Sequence, residues 1–369
     1  MNDQIKRFFY LDNLRIYLTI LVILHHAALA YGGIGGWAIH DEITDEISPI
    51  LFTFFNALNQ SYFMTAFFLL AGYFTPRSLE RKGSINFLLD RLIRLGIPLL
   101  VYTTLIINLN GFMITRWYLE VPFQFIWRYQ PGHLWFLQLL FLFALIYVIY
   151  KLFKKEAANL KDRALPSDSI IWVTVVILSI LTFLMRLAYP IGETILNVQP
   201  AHITHYVFAF YIGILAYRGD WFQRLTNIKG KRWGKIALIT LPFFFVLLIL
   251  GGALESEAGV AKFLGGFTWQ ALSYAIWETI MMVAIIIFLL YFFREKFNRS
   301  GVLLALMAAS VYTVYIIHQT VLYALNIIFL SIQIPSFLKF FGVSLIGVPL
   351  CFLLAYLIRK LPYARRVLG

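Results

Sequence analysis

Arg15 and His26 stand eleven residues apart inside an otherwise apolar stretch, Leu11 to Tyr31. At about 100° per residue, eleven steps return to within about 20° of the starting helix face, with an axial rise of about 16 Å. That rise is about half the thickness of a bilayer's hydrocarbon. One face of one helix would then hold a guanidinium near one membrane surface and an imidazole beyond the midplane. A charge in hydrocarbon costs about 2.5–3.5 kcal/mol on insertion scales, so something must offset Arg15. In the plainer reading Arg15 snorkels to the headgroups and His26 bonds a neighbouring helix. In the functional reading His26 is a base or nucleophile, because imidazole changes charge near neutral pH. His25 points about 100° away and reads as a packing neighbour.

Other residues have matching chemistry. Arg91 and Arg94 are three apart, so they share a helix face, and paired guanidiniums can grip a phosphate. They also serve as ordinary topology determinants, and Pro98 would kink or loosen the helix beyond them. In Ser310-Val311-Tyr312-Thr313-Val314-Tyr315-Ile316-Ile317-His318, Tyr315 and His318 share a face. Such Ser and Tyr side chains often only bond neighbouring helices. His133 and Trp135 open another apolar run, as an interfacial aromatic anchor or as part of a site. Glu278 is the most costly acid in the apolar part, placed to pair with a His or to shuttle protons.

The elements that must position these residues follow from composition. The 369 residues are 61% hydrophobic and 13% charged, with a mean hydropathy of +0.78. A soluble domain is about 45–50% apolar and about 25% charged, which excludes that class. The fold expected is all-α, a polytopic membrane bundle. The net charge of +13 is explained by the positive-inside bias without invoking nucleic acid. The lone Cys351 permits no internal disulfide and reads as packing. Ala28-Leu29-Ala30 resembles a signal cleavage site, but Asp12, Arg15 and the two His interrupt the run, so it is read as a retained span.

At about 20 apolar residues per span, ten spans are expected: Leu11–Tyr31, Ile50–Phe74, Leu92–Ile114, Leu134–Phe153, Ile170–Tyr189, Ile203–Tyr217, Ile236–Ala253, Thr268–Phe293, Val302–Leu330 and Phe337–Ile358. The sixth is short, and the ninth is long enough to tilt or break. Of the 31 Lys and Arg, only five (Arg116, Arg128, Arg186, Lys262 and Lys339) fall on the side opposite the N-terminus. The bias puts both termini in the cytoplasm. Every His except His40 then lies in the middle-to-outer band of the membrane, which predicts a shared cavity open to the outside. One integral domain over residues 1–369 is expected, with no extra soluble domain.

Leu11-Asp12-Asn13-Leu14-Arg15 followed by His26 resembles the Arg-x10-His signature of the acyltransferase family 3 membrane proteins. Phe67-Phe68-Leu69-Leu70-Ala71-Gly72-Tyr73-Phe74 is similar to their second helix, with Ala71 where many members have Ser. Arg91-x-x-Arg94, His133-Leu134-Trp135-Phe136-Leu137 and the Ser310–His318 run resemble their later motifs, in the family's order. Within the family the resemblance is nearest to the glucan biosynthesis protein C group, whose members succinylate periplasmic glucans.

The resemblance implies a bacterial inner-membrane O-acyltransferase with ten spans. It would take an acetyl or succinyl group from acyl-CoA inside and deliver it to a carbohydrate hydroxyl outside. Acyl-CoA is a donor substrate, and no bound cofactor or metal is implied. The expected partners are the bilayer, acyl-CoA and the hydroxyl acceptor. His26 and Arg15 would be catalytic, and Arg91 and Arg94 would contact the coenzyme A phosphates. His133, Trp135, Glu278, Ser310, Tyr312, Tyr315 and His318 would bind or support substrate. Both a base and an acyl-carrier role for His26 stay open. The competing class is a transporter or flippase using His26, Glu278 and His318 as a proton relay, although no inverted repeat is apparent. A purely structural scaffold leaves the buried charges unexplained.

Overall fold

The structure is a computed structural model and describes residues 8–153 and 164–368. Lys6, Arg7, Lys154, Lys155, Lys161 and Arg163, which contribute to the charge bias, lie outside these residues. The described residues form helices and connecting loops with no strand. Among the described residues eight helices are long and apolar enough to cross a membrane: α1 (Phe9–Ala30), α3 (Ser84–Trp117), α4 (Gly132–Phe153), α5 (Asp168–Ala188), α7 (Asn227–Leu250), α8 (Trp269–Lys296), α9 (Val302–Leu330) and α10 (Ser336–Ile358). The second and sixth expected spans are helical but differ. Helix α2 (Ile47–Lys82) has 36 residues, and its apolar run is diluted by Asn56, Asn59, Gln60 and Ser61. Helix α6 (Ile203–Arg218) has only 16 residues. The ninth expected span is one unbroken helix of 29 residues.

Helices α2 and α6 form the most extensive helix pair, and glycine is the reason. A Cβ on Gly72 would stand 2.1 Å from the Phe210 carbonyl oxygen, and one on Gly213 would stand 2.2 Å from that of Leu69. Small residues let membrane helices approach closely, where packing rather than water exclusion drives association. Phe68 fills the space beside this contact and stacks on Tyr206 with ring centres 4.8 Å apart. Helix α1 is the central helix: 67% of its span is buried, against 11% for α7. It packs on α2, α8, α9 and α10.

Side-chain bonds collect the loops into two polar ends. At one end the Tyr118 hydroxyl donates to the His40 carbonyl (2.9 Å), and Lys339 pairs with Asp41 (2.5 Å). Asp45 accepts from the Ser48 backbone N–H (2.7 Å) and hydroxyl (2.8 Å). These bonds hold its half-buried carboxyl below the usual carboxylate range. At the other end the Asn13 amide donates to the carbonyls of Phe297 (2.6 Å) and Arg299 (2.8 Å). There Lys229 and Arg232 both pair with Asp168.

Helix α3 is not uniform. Leu92–Gly96 and Tyr102–Ile106 are π-helical turns inserted in the α-helix. Pro98, expected to kink this span, lies between them. It has no N–H for the Arg94 carbonyl four residues back, and the Tyr312 hydroxyl of α9 donates to that carbonyl instead.

Candidate active site

His26 sits one turn from the end of α1, and its Nδ1 lies 2.8 Å from the Val22 carbonyl of the preceding turn. A carbonyl cannot donate, so Nδ1 carries the proton and Nε2 keeps its lone pair. Nε2 has no protein hydrogen bond among the described residues. His318 of α9 has the same tautomer for the same reason. Its Nδ1 donates to the Tyr315 carbonyl (2.7 Å), leaving the Nε2 lone pair 3.2 Å from His26 Nδ1. The two rings are 4.9 Å apart at their centres.

His133 adds a third imidazole, its ring centre 4.7 Å from that of His318. Its Nε2 is 2.9 Å from the Tyr315 carbonyl and its Nδ1 is 2.7 Å from Gln319 Oε1. The Tyr315 hydroxyl donates to the His133 carbonyl, so helices α4 and α9 are joined in both directions here. Gln319 Oε1 accepts from the Tyr102 hydroxyl (2.5 Å), and its amide N–H donates to the hydroxyl of Tyr323 (2.9 Å). Tyr102 begins the second π-turn, the local irregularity that accompanies its reach to Gln319. Trp37, in the loop after α1, covers His26 (ring centres 5.3 Å apart) and Tyr323 (4.6 Å).

His26 and His133 face a cavity of about 1010 Å³ that Trp37, Trp135, Tyr206 and His202 also line. Trp135 is held against Tyr206, its ring tilted 23° at 5.4 Å. His25 also reaches the cavity, with its ring 5.0 Å from that of Phe63.

The remaining expected residues divide. Arg15 is on the same continuous helix as His26, near its other end, with Nη1 3.9 Å from Asp12 Oδ1. Arg94 Nε bonds Asp90 Oδ1 (3.2 Å), whose second oxygen takes Lys82 (2.7 Å), and the Arg91 guanidinium lies 5.0 Å from the Phe87 ring centre. The arginine pair therefore shares its surface with a carboxylate. Ser310 turns back to the Leu306 carbonyl of its own helix (2.9 Å) and does not join the imidazoles.

Glu278 belongs to a separate cluster. It is fully buried in an ion pair with Arg186 of α5, and His202 Nδ1 lies 3.3 Å from its other oxygen. Arg186 also sits over the Tyr274 ring at 5.4 Å. His205 Nε2 lies 3.1 Å from both the Thr182 and Thr279 hydroxyls. Ligand atoms of His202, His205 and Glu278 lie within 4.8 Å of one another. The guanidinium already occupies the carboxylate and stands 3.4 Å from His202 Nδ1, so this donor set is arranged as an ion pair. Of this cluster only His202 and Tyr274 reach the cavity wall.

Sequence reasoning did not single out Trp37, Tyr102, Gln319 or Tyr323, nor the role of Arg186 as partner of Glu278. Arg186 carried a usable signal, an arginine within an apolar span. Gln319 carried a weaker one, an amide in the middle of another.

A family model described as an acyltransferase domain, that of acyltransferase family 3, matches residues 8–356. Proteins named glucans biosynthesis protein C from Salmonella paratyphi B and Salmonella dublin are each 27% identical over 220 residues, covering 56% of this chain and 54% of theirs. The counterpart from Salmonella gallinarum is similar to the same extent. The chain spans about half the length of the curated relatives it matches. No solved structure matches.

Proposed function

Because the chain belongs to acyltransferase family 3, we propose that it is a multi-pass inner-membrane O-acyltransferase that moves an acetyl or succinyl group from cytoplasmic acyl-CoA to a hydroxyl of an extracytoplasmic carbohydrate. The observation that carries this reading is the free Nε2 of His26 at a large cavity, with Nδ1 anchored on Val22 and backed by His318. An acceptor hydroxyl gives its proton to Nε2 as its oxygen attacks the thioester carbonyl carbon. The C–O bond forms, the C–S bond breaks, and the proton passes from Nε2 to the departing coenzyme A sulfur. In the acyl-carrier variant Nε2 itself attacks the carbonyl, coenzyme A leaves as the thiol, and the hydroxyl then displaces the imidazole. In either route the positive charge that forms on the His26 ring strengthens the hydrogen bond its Nδ1–H already directs at His318 Nε2.

The donor enters from the opposite end of α1. Arg91 and Arg94 would meet the coenzyme A phosphates there, with Arg15 along the path of the thioester arm. This reading takes α2 and α6 as spans, giving ten, and puts both termini in the cytoplasm. The charge bias of the loops and the grouping of loops into two ends support it.

The test is acyl-CoA turnover by the purified chain in nanodiscs with a carbohydrate acceptor. Coenzyme A release that depends on acceptor and is lost in His26→Ala is expected. Release at the wild-type rate from His26→Ala would sink the assignment. Mass spectrometry of His26 after rapid quenching separates the two routes. A proton relay through His26, Glu278 and His318 is not favoured, since Glu278 is bonded to Arg186 in another cluster.

A further inference from the structure

The cavity facing His26 also gathers polar atoms that have no partner. Asn56 of α2 and Asn110 of α3 are 3% and 2% exposed; among the described residues neither atom of the Asn56 amide has a hydrogen-bond partner, and Asn110, beside the Tyr102 hydroxyl, leaves its Oδ1 without one. Gln130 Oε1 and Trp37 Nε1 are likewise buried without a partner among the described residues, and all four residues line the cavity. Room for the Asn56 amide is made at Gly33, where a Cβ would stand 2.5 Å from Asn56 Nδ2. Buried polar groups in native proteins are almost always paired, so groups without a protein partner in a cavity wall bond either water or a ligand that replaces it.

The wall also restricts what that ligand can be. Among the residues lining the cavity none is Asp, Glu, Lys or Arg. The Arg186–Glu278 pair is fully buried and outside that lining. A charged ring seated against these amides would lose its hydration and find no counter-charge. A purely apolar ligand would leave the amides unpaired. A hydroxyl both donates and accepts, as does each Asn amide, while the Trp37 N–H only donates and suits an accepting oxygen. At about 1010 Å³ the cavity is at the upper end of small-molecule sites, with room for more than one sugar ring.

We infer that Asn56, Asn110, Gln130 and Trp37 form a subsite for an uncharged polyhydroxylated ring, which selects neutral over acidic glycan segments beside His26. The inference rests on the acyltransferase reading for its purpose, but its binding chemistry stands apart from that reaction.

Tryptophan fluorescence of the full chain in nanodiscs, without acyl-CoA, tests it with a neutral gluco-oligosaccharide and an oligoglucuronate of equal length. The wild type should bind the neutral chain at least tenfold more tightly. Asn56→Leu and Asn110→Leu should each weaken that binding at least tenfold while binding acyl-CoA as the wild type does. Equal wild-type affinity for the two chains, binding of neither, or neutral binding unchanged in both variants would overturn it. The wild-type comparison holds even where a variant fails to fold. Selective binding without any acyl transfer would refute the proposed reaction and leave this subsite standing.

Discussion

His318 Nε2 lies 3.2 Å from His26 Nδ1, and each imidazole has its other polar contact with a backbone carbonyl of its own helix. Two rings from helices far apart in sequence thus share one hydrogen bond, with each tautomer fixed by the carbonyl of its own helix. A proton arriving at His26 Nε2 creates an imidazolium whose N–H is shared with a neutral partner.

Removing that partner should slow the reaction without removing the base. A hydrogen bond to a charged group contributes about 1.5–3 kcal/mol, which is about a 10–100-fold loss of rate. His318→Phe should lower kcat by that amount with a shifted pH profile, whereas His26→Ala should lose about 10²–10⁴-fold. Steady-state kinetics over a pH range separates them. An unmoved pH profile in His318→Phe would refute the coupling.

Tyr312 is the support of the Arg94 segment, through its hydroxyl on the carbonyl that Pro98 leaves without an N–H. Tyr312→Phe removes one hydrogen bond, worth about 0.5–1.5 kcal/mol net. Its expected effect is a rise of about 2–10-fold in KM for acyl-CoA, with kcat nearly unchanged. A kcat loss at constant KM would show that Tyr312 acts on the chemistry instead.

Arg186→Leu should be far more damaging than its distance from His26 suggests. It leaves the buried Glu278 carboxylate without its cationic partner, at a cost of about 3–5 kcal/mol. Arg186→Leu combined with Glu278→Leu should recover most of the thermal stability of detergent-solubilised protein. If the double variant melts no higher than the single, the ion pair is not the source of the loss.

Gly213→Val should prevent α2 and α6 from closing. The atoms a Cβ meets are backbone (Leu69 O at 2.2 Å, Tyr73 N at 2.7 Å), and these cannot rotate aside. Overpacking typically costs about 1–3 kcal/mol, and backbone overlap belongs at the upper end. Gel filtration should show aggregated protein, and a monodisperse, fully active Gly213→Val would contradict the contact.

The parts of the site that the sequence displays are those fixed by a single helix. The Arg15–His26 spacing survives because α1 is continuous, and Tyr315 and His318 meet His133 because an i, i+3 pair shares a face. What is hidden depends on contacts between helices. Gln319 looks ordinary until Tyr102, His133 and Tyr323 surround it. Trp37 lies in a loop with no periodicity to assign it a direction. Ser310 belongs to the same motif, and its hydroxyl donates to the carbonyl one turn back. Likewise, the polar residues that dilute α2 include Asn56, so what weakens it as a membrane span also equips the cavity.

A cavity wall free of formal charge has an electrical consequence. Moving one elementary charge through a membrane potential of 100 mV involves about 2.3 kcal/mol. An uncharged acceptor entering this cavity does no such work, so its occupancy is indifferent to voltage. Acceptor loading of this protein should therefore be the same in energised and de-energised membranes.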